Sequence, residues 1–165
     1  AALAGVLDWR ADRAQEQAET LRVAEREAER RNDAVGFLTL GQAQLDAGDA
    51  RAAARTFDRA FAAAPDRTLD PTRPAWVQGG LPWRALWYSF GPLEAYTRTG
   101  QYARVLTLTG AVLRSVPTHE EAHYWRARAL TGLGRSAEAQ AAYLEALRLR
   151  PGYAEARQGL TAVQP

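Results

Sequence analysis

The chain contains no cysteine and no lysine. Without cysteine there is no disulfide framework, no thiol nucleophile and no thiolate-bound metal. The same absence leaves the redox compartment open. Without lysine, all 21 basic residues are arginine, a side chain that forms bidentate carboxylate pairs. Nothing then titrates between histidine and tyrosine, so a net charge of only +2 coexists with a sequence pI near 9.3. The arginines are interspersed with Glu and Asp and form no basic stripe, so nucleic acid is not an expected partner. No apolar run reaches the ~18 residues of a membrane-spanning helix. Hydrophobic residues make up 47% of the 165, enough for one domain with a sizeable core rather than a disordered chain. The chain does not begin with Met. Ala1-Ala2-Leu3-Ala4 lacks the charged and apolar regions of a signal peptide. The expectation is a processed protein or a segment of a longer one.

What the chain does have is a register. Leu40-Gly41 is followed by Ala53, Phe57, Ala60 and Pro65. Pro65 closes a unit that begins near Ala34, and two later units end at Pro117 and Pro151, 34 residues apart. A repeat of that length is one helix-turn-helix. It cannot bury its apolar face alone and must stack on its neighbours.

Residues 8–31 lack Gly and Pro and are rich in Ala, Glu, Arg and Gln, which predicts one long helix. Leu7, Ala11, Ala14, Ala18, Leu21 and Ala28 give it a thin apolar seam, expected to lie on the first repeat or to join a preceding domain. Asn32-Asp33 ends it and caps the next helix. Repeat one covers 34–67, with helices over 35–46 and 50–63 around a Gly48-Asp49 turn. Residues 68–85 break the register with turn chemistry, Asp70-Pro71 and Pro74 among it, and an early helix start at Pro82-Trp83. Repeat two covers 86–119. Its Pro92 would clash with the preceding turn, so a kink or break is expected there. Repeat three covers 120–153, and 154–163 forms a single capping helix.

These units resemble tetratricopeptide repeats, whose pattern is W-x2-L-G-x2-Y, then A-x3-F, then P. Repeat one supplies Phe37, Leu40, Gly41, Ala53, Phe57 and Pro65. Repeat three supplies Ala127, Leu130, Gly134, Ala139, Tyr143, Ala146 and Pro151. Repeat two is poorest, with Pro92-Leu93 in place of Leu-Gly and Thr109 in place of Phe. The resemblance implies an all-α fold: a right-handed superhelix of about three helix pairs, a long N-terminal helix and a C-terminal cap. It implies a protein- or peptide-binding module without catalysis or cofactor. Gly80-Leu81-Pro82-Trp83-Arg84, Leu86-Trp87-Tyr88, Phe90-Gly91-Pro92, Glu94-Ala95-Tyr96 and Tyr124-Trp125-Arg126 also look like the repeat domain attached to bacterial C39-like, papain-type peptidase domains. That likeness implies a neighbouring peptidase domain as one expected partner. A chain without cysteine is not that enzyme.

His119-Glu120-Glu121-Ala122-His123 fits H-E-x-x-H, the zinc-protease signature of two His one turn apart with a Glu base. The repeat register already explains this stretch as a junction, with Thr118 and Glu121 expected to form a capping box. A third ligand would have to be Glu138 or Glu145. A metal-dependent hydrolase is therefore a remote alternative, and no metal is expected. Gly79-Gly80 lacks the spacing of a phosphate loop.

The resemblance implies instead that the first helix of each pair lines a concave groove. Its stripes carry Gln42; Trp87, Phe90, Glu94 and Arg98; and Tyr124 and Arg128, beside Val35, Leu38, Leu45, Glu121 and Thr131. Aromatic and Arg side chains anchor interfaces. The Lys/Asn clamp that some of these repeats use for a peptide C-terminal carboxylate is missing, because Gln42, Glu94 and Arg128 hold its central positions. Oligomerisation through the long helix or an exposed repeat face is the structural alternative.

Overall fold

The computed structural model describes residues 2–63 and 88–164, with side chains from Trp9 onward. The regular secondary structure of the described residues is entirely helical, with no strand. In order they are α1 (Ala2–Arg31), α2 (Ala34–Asp46), α3 (Ala50–Ala62), α4 (Gly91–Arg98), α5 (Tyr102–Ser115), α6 (Glu120–Gly132), α7 (Ser136–Leu149) and α8 (Ala154–Val163).

Each helix packs on the next. In addition α2 touches α4, α4 touches α6, and α6 touches α8. The even-numbered helices thus form one layer and line one face, as stacked helix pairs require. The pairs α2–α3, α4–α5 and α6–α7 are closed by the same turn three times. Gly48, Gly100 and Gly134 take φ of 89°, 76° and 70°, the left-handed region that only glycine enters without strain. The amide after each glycine then returns to the helix it has left: Asp49 to Gln44, Gln101 to Tyr96 and Arg135 to Leu130.

The core follows the register. Ala53, Phe57 and Ala60 of the first pair are fully buried, as are Ala127, Ala139 and Ala146 of the third, with Leu130 and Tyr143 nearly so. Gly41 is in the core because any side chain there would meet the Phe57 ring, with an added Cβ 2.5 Å from it. In the second pair Thr109 replaces the aromatic and is wholly buried. Its hydroxyl donates to the Val105 carbonyl at 2.8 Å, so no polar group is stranded.

Three local expectations need adjustment. First, where a kink or break is expected inside a helix, a helix begins: Tyr88, Ser89 and Phe90 are not helical, and α4 starts at Gly91 with Pro92 in its first turn. There the missing N–H is harmless. The 68–85 insertion with its early start at Pro82-Trp83, and Pro65, lie outside the described residues. Second, α6 has no Thr118–Glu121 capping box. His119 is the N-cap, and its Nδ1 accepts from the Ala122 amide at 3.3 Å. Glu121 turns away toward Arg150 and Tyr153. Third, the seam of α1 is shorter than its pattern. Ala11, Ala14 and Ala18 are exposed, and burial is confined to Ala24 and Ala28 with part of Leu21. The described packing partner of α1 is α2, and the helix runs well past it.

Candidate functional site

The face lined by α4, α6 and α8 carries a pocket of about 440 Å³ between three walls. On α6, Glu121, Tyr124, Trp125 and Arg128 share one face through the 3,4 helical spacing. On α4 and its cap, Phe90, Glu94 and Arg98 form the second wall. Arg150, Tyr153 and Glu155, at the α7–α8 junction, form the third. Four aromatic and three guanidinium groups meet here beside three carboxylates.

The aromatics build the floor. Tyr124 stands edge-on to Trp125, with centroids 5.1 Å apart, and lies 4.9 Å from Tyr153. All three are buried. Phe90 is half-buried and meets His119 edge-to-face at 5.8 Å, which ties the pocket rim to the α6 cap.

The charges are arranged on that floor. Glu121 accepts from Arg150 at 2.8 Å and from the Tyr153 hydroxyl, and Arg150 also lies over the Tyr153 ring. Burial and the Glu121 carboxylate push the Tyr153 hydroxyl well above the ordinary tyrosine range. Glu94 pairs with Arg98 at 3.4 Å, one helical turn on. Arg128 donates to the Tyr124 hydroxyl at 2.8 Å and lies 5.8 Å from the Tyr124 and Trp125 rings. Partial burial opposes its charge, but the Tyr124 hydrogen bond and nearby Tyr143 and Glu94 outweigh that and raise its pKa.

Of the groove residues expected from the pattern, Phe90, Glu94, Arg98, Tyr124 and Arg128 surround this one pocket. Gln42 does not. It lines a separate depression between α1 and α2, with its amide donating to Asp46 at 2.8 Å. Trp87 lies outside the described residues. Leu45, placed in the groove by spacing, is core. The pattern missed the third wall. Its only sequence cue was Tyr153, an aromatic two residues after the repeat-closing Pro151.

The H-E-x-x-H pair does not form a ligand set. His119 faces its own helix terminus, while the His123 Nε2 donates to the Pro117 carbonyl at 2.8 Å. Glu138 and Glu145 are held in two-bond pairs by Arg135 and Arg148. Among the described residues, no three His, Asp or Glu side chains are grouped to hold a metal ion, and no helix is long and apolar enough to cross a membrane.

Residues 120–153, the α6–α7 pair, match the tetratricopeptide repeat family. No curated protein matches the chain. Among solved structures, MamA (residues 41 to the end) from Desulfovibrio magneticus RS-1 is similar. It has 20% identity and a TM-score of 0.66 over 98% of this chain and 81% of that one. The first TPR domain of human RPAP3 is similar over 79% of this chain and 88% of that one, at 19% identity and a TM-score of 0.58. The first TPR of Spaghetti (RPAP3), bound to HSP90 peptide SRMEEVD, gives the same identity and TM-score, covering 79% of this chain and 89% of that one. The fold is thus an all-α superhelix of the tetratricopeptide type, with a tetratricopeptide repeat at 120–153.

Proposed function

We propose that this chain is a non-catalytic protein- or peptide-binding module, and that the ligand docks on the α4–α6–α8 face. The observation that carries the reading is the pocket itself: buried aromatics beside three arginines, on the face lined by the first helices of the pairs. A neighbour of the same fold binds a peptide, which supports the class of ligand. The likeness of residues 80–96 and 120–126 to the repeat domain of C39-like peptidases supports a finer version. In it the chain is one domain of a larger bacterial protein, and the partner is the adjacent peptidase-like domain or its substrate. Phe90→Ala and Arg128→Ala should each weaken capture of that domain by tenfold or more, about 1.4 kcal/mol, with the helical signal intact. Wild-type binding by both variants rules the pocket out as the docking site.

One observation favours a second role as an oligomerisation scaffold. Residues 9–20 of α1 are all exposed, and Trp9 and Val23 each show about half their surface. Light scattering across a wide concentration range tests it, and a strict monomer ends it.

A further inference from the structure

Of the pocket's six charged side chains, Arg128 and Glu155 have no ion-pair partner among the described residues. Glu121 is engaged by Arg150 and the Tyr153 hydroxyl, and Glu94 by Arg98. Arg128 has only a neutral phenol as its partner, and among the described residues no carboxylate lies within ion-pair distance of it. It is therefore a guanidinium held in place by Tyr124 over an aromatic floor, near Glu94 but with no carboxylate bonded to its remaining N–H donors among the described residues. The floor makes that charge worth more than one in open water, because buried Tyr124, Trp125 and Tyr153 displace solvent from one side of it.

The rim restricts what can reach it. Glu94, Glu121 and Glu155 line the same pocket. A run of acidic residues, or a dianionic phosphate, would meet these carboxylates in a space of only about 440 Å³. A single carboxylate seated on Arg128 adds only one negative charge to that rim. The neighbouring positions of its chain would lie against Phe90, Tyr124 and the rim acids, which favours apolar or basic residues there.

We propose that Arg128 is the specificity-determining residue of this site, and that it selects a peptide segment bearing one isolated Asp or Glu side chain. This rests on the peptide-binding reading above and supplies its ligand chemistry.

The test uses the full chain and an array of N-acetylated, C-terminally amidated heptapeptides. Their central position is Glu, Asp, Gln, Asn, phosphoserine or Lys, in apolar, basic and acidic flanks. Amidation removes the terminal carboxylate, so any acid preference comes from the side chain. Central Glu or Asp should be preferred in apolar and basic flanks. Glu to Gln in the peptide should cost about tenfold in affinity, as loss of a charge-assisted bond does. Acidic flanks should weaken binding. Arg128→Glu should move the preference to central Lys. Peptides that bind without central-acid preference, or that favour phosphoserine or acidic runs, overturn this assignment and leave the peptide-binding reading standing. If no peptide binds, this assignment falls, and the domain-capture experiment alone decides the protein-binding reading. The Glu-to-Gln change is made in the ligand, so this arm is independent of how the variant folds.

Discussion

The hydroxyl of Tyr96 donates to Asp58 Oδ1 at 2.7 Å across 38 residues, and Arg104 reaches the same oxygen at 2.8 Å. Arg104 also lies over the Tyr96 ring, 4.5 Å from its centre. One carboxylate on α3 thus gathers a phenol from α4 and a guanidinium from α5. It joins the first helix pair to the second, where the sequence register is weakest.

Removing the phenol should therefore be costly. Tyr96 is fully buried, and a hydrogen bond to a charged acceptor contributes about 2 kcal/mol. Tyr96→Phe should lower unfolding free energy by roughly that amount, and Asp58→Ala by more, since it strands the buried hydroxyl. Urea unfolding measures both. A Tyr96→Phe loss under about 0.5 kcal/mol, the scatter of an ordinary surface change, would show the staple to be idle.

The same bond makes stability sensitive to alkali. Burial, and then the Asp58 and Glu121 carboxylates, hold the Tyr96 and Tyr153 hydroxyls above their ordinary range. In the unfolded chain both ionise near pH ~10. Below that pH both states keep the proton, so their contribution to stability is full and does not change with pH. Above it the unfolded chain releases protons that the native state retains, and stability falls. The urea midpoint should decline steeply above about pH 10, and less steeply in a Tyr96→Phe, Tyr153→Phe double variant. Parallel declines would remove the two phenols from the account.

Gly41 shows what was legible in the sequence and why. Leu40-Gly41 and Phe57 are spaced so that a small residue faces a ring, and the structure places them in contact. Local spacing dictates that meeting because both partners lie within one hairpin. Pro92 was legible for the same reason, since its clash is with its own helix. The third wall of the pocket was not. Arg150 and Tyr153 reach Glu121 from about 30 residues on, and no helical period encodes that approach. The α1 seam misled in the opposite direction. Its alanines have the right spacing, but α2 reaches only as far as Leu21.

A methyl at Gly41 should overfill the first pair. The added carbon would fall 2.5 Å from Phe57 Cε1, and Phe57 is wholly buried with no room to retreat. Gly41→Ala should cost roughly 1–3 kcal/mol, the range for an overpacked core, despite alanine's better helix propensity. Phe57→Leu should cost stability alone but recover part of it in the Gly41→Ala background. Simple additivity of the two in thermal unfolding would mean that the ring and the glycine do not compete for space.

The cap should come loose from Glu121. Its carboxylate holds Arg150 at 2.8 Å and takes the Tyr153 hydroxyl, and Tyr153 with Ala156 is what α8 buries. Glu121→Ala leaves a buried phenol without its acceptor and frees Arg150, a loss of about 2 kcal/mol. Because repeat arrays lose structure from their ends, that loss should appear locally. Amide exchange in α8 should rise roughly 30-fold, while α2 and α3, at the far end of the stack, keep their protection. A uniform rise through all helices would instead show that the chain unfolds as one unit. It would also show that the α6–α8 contact carries no separate boundary.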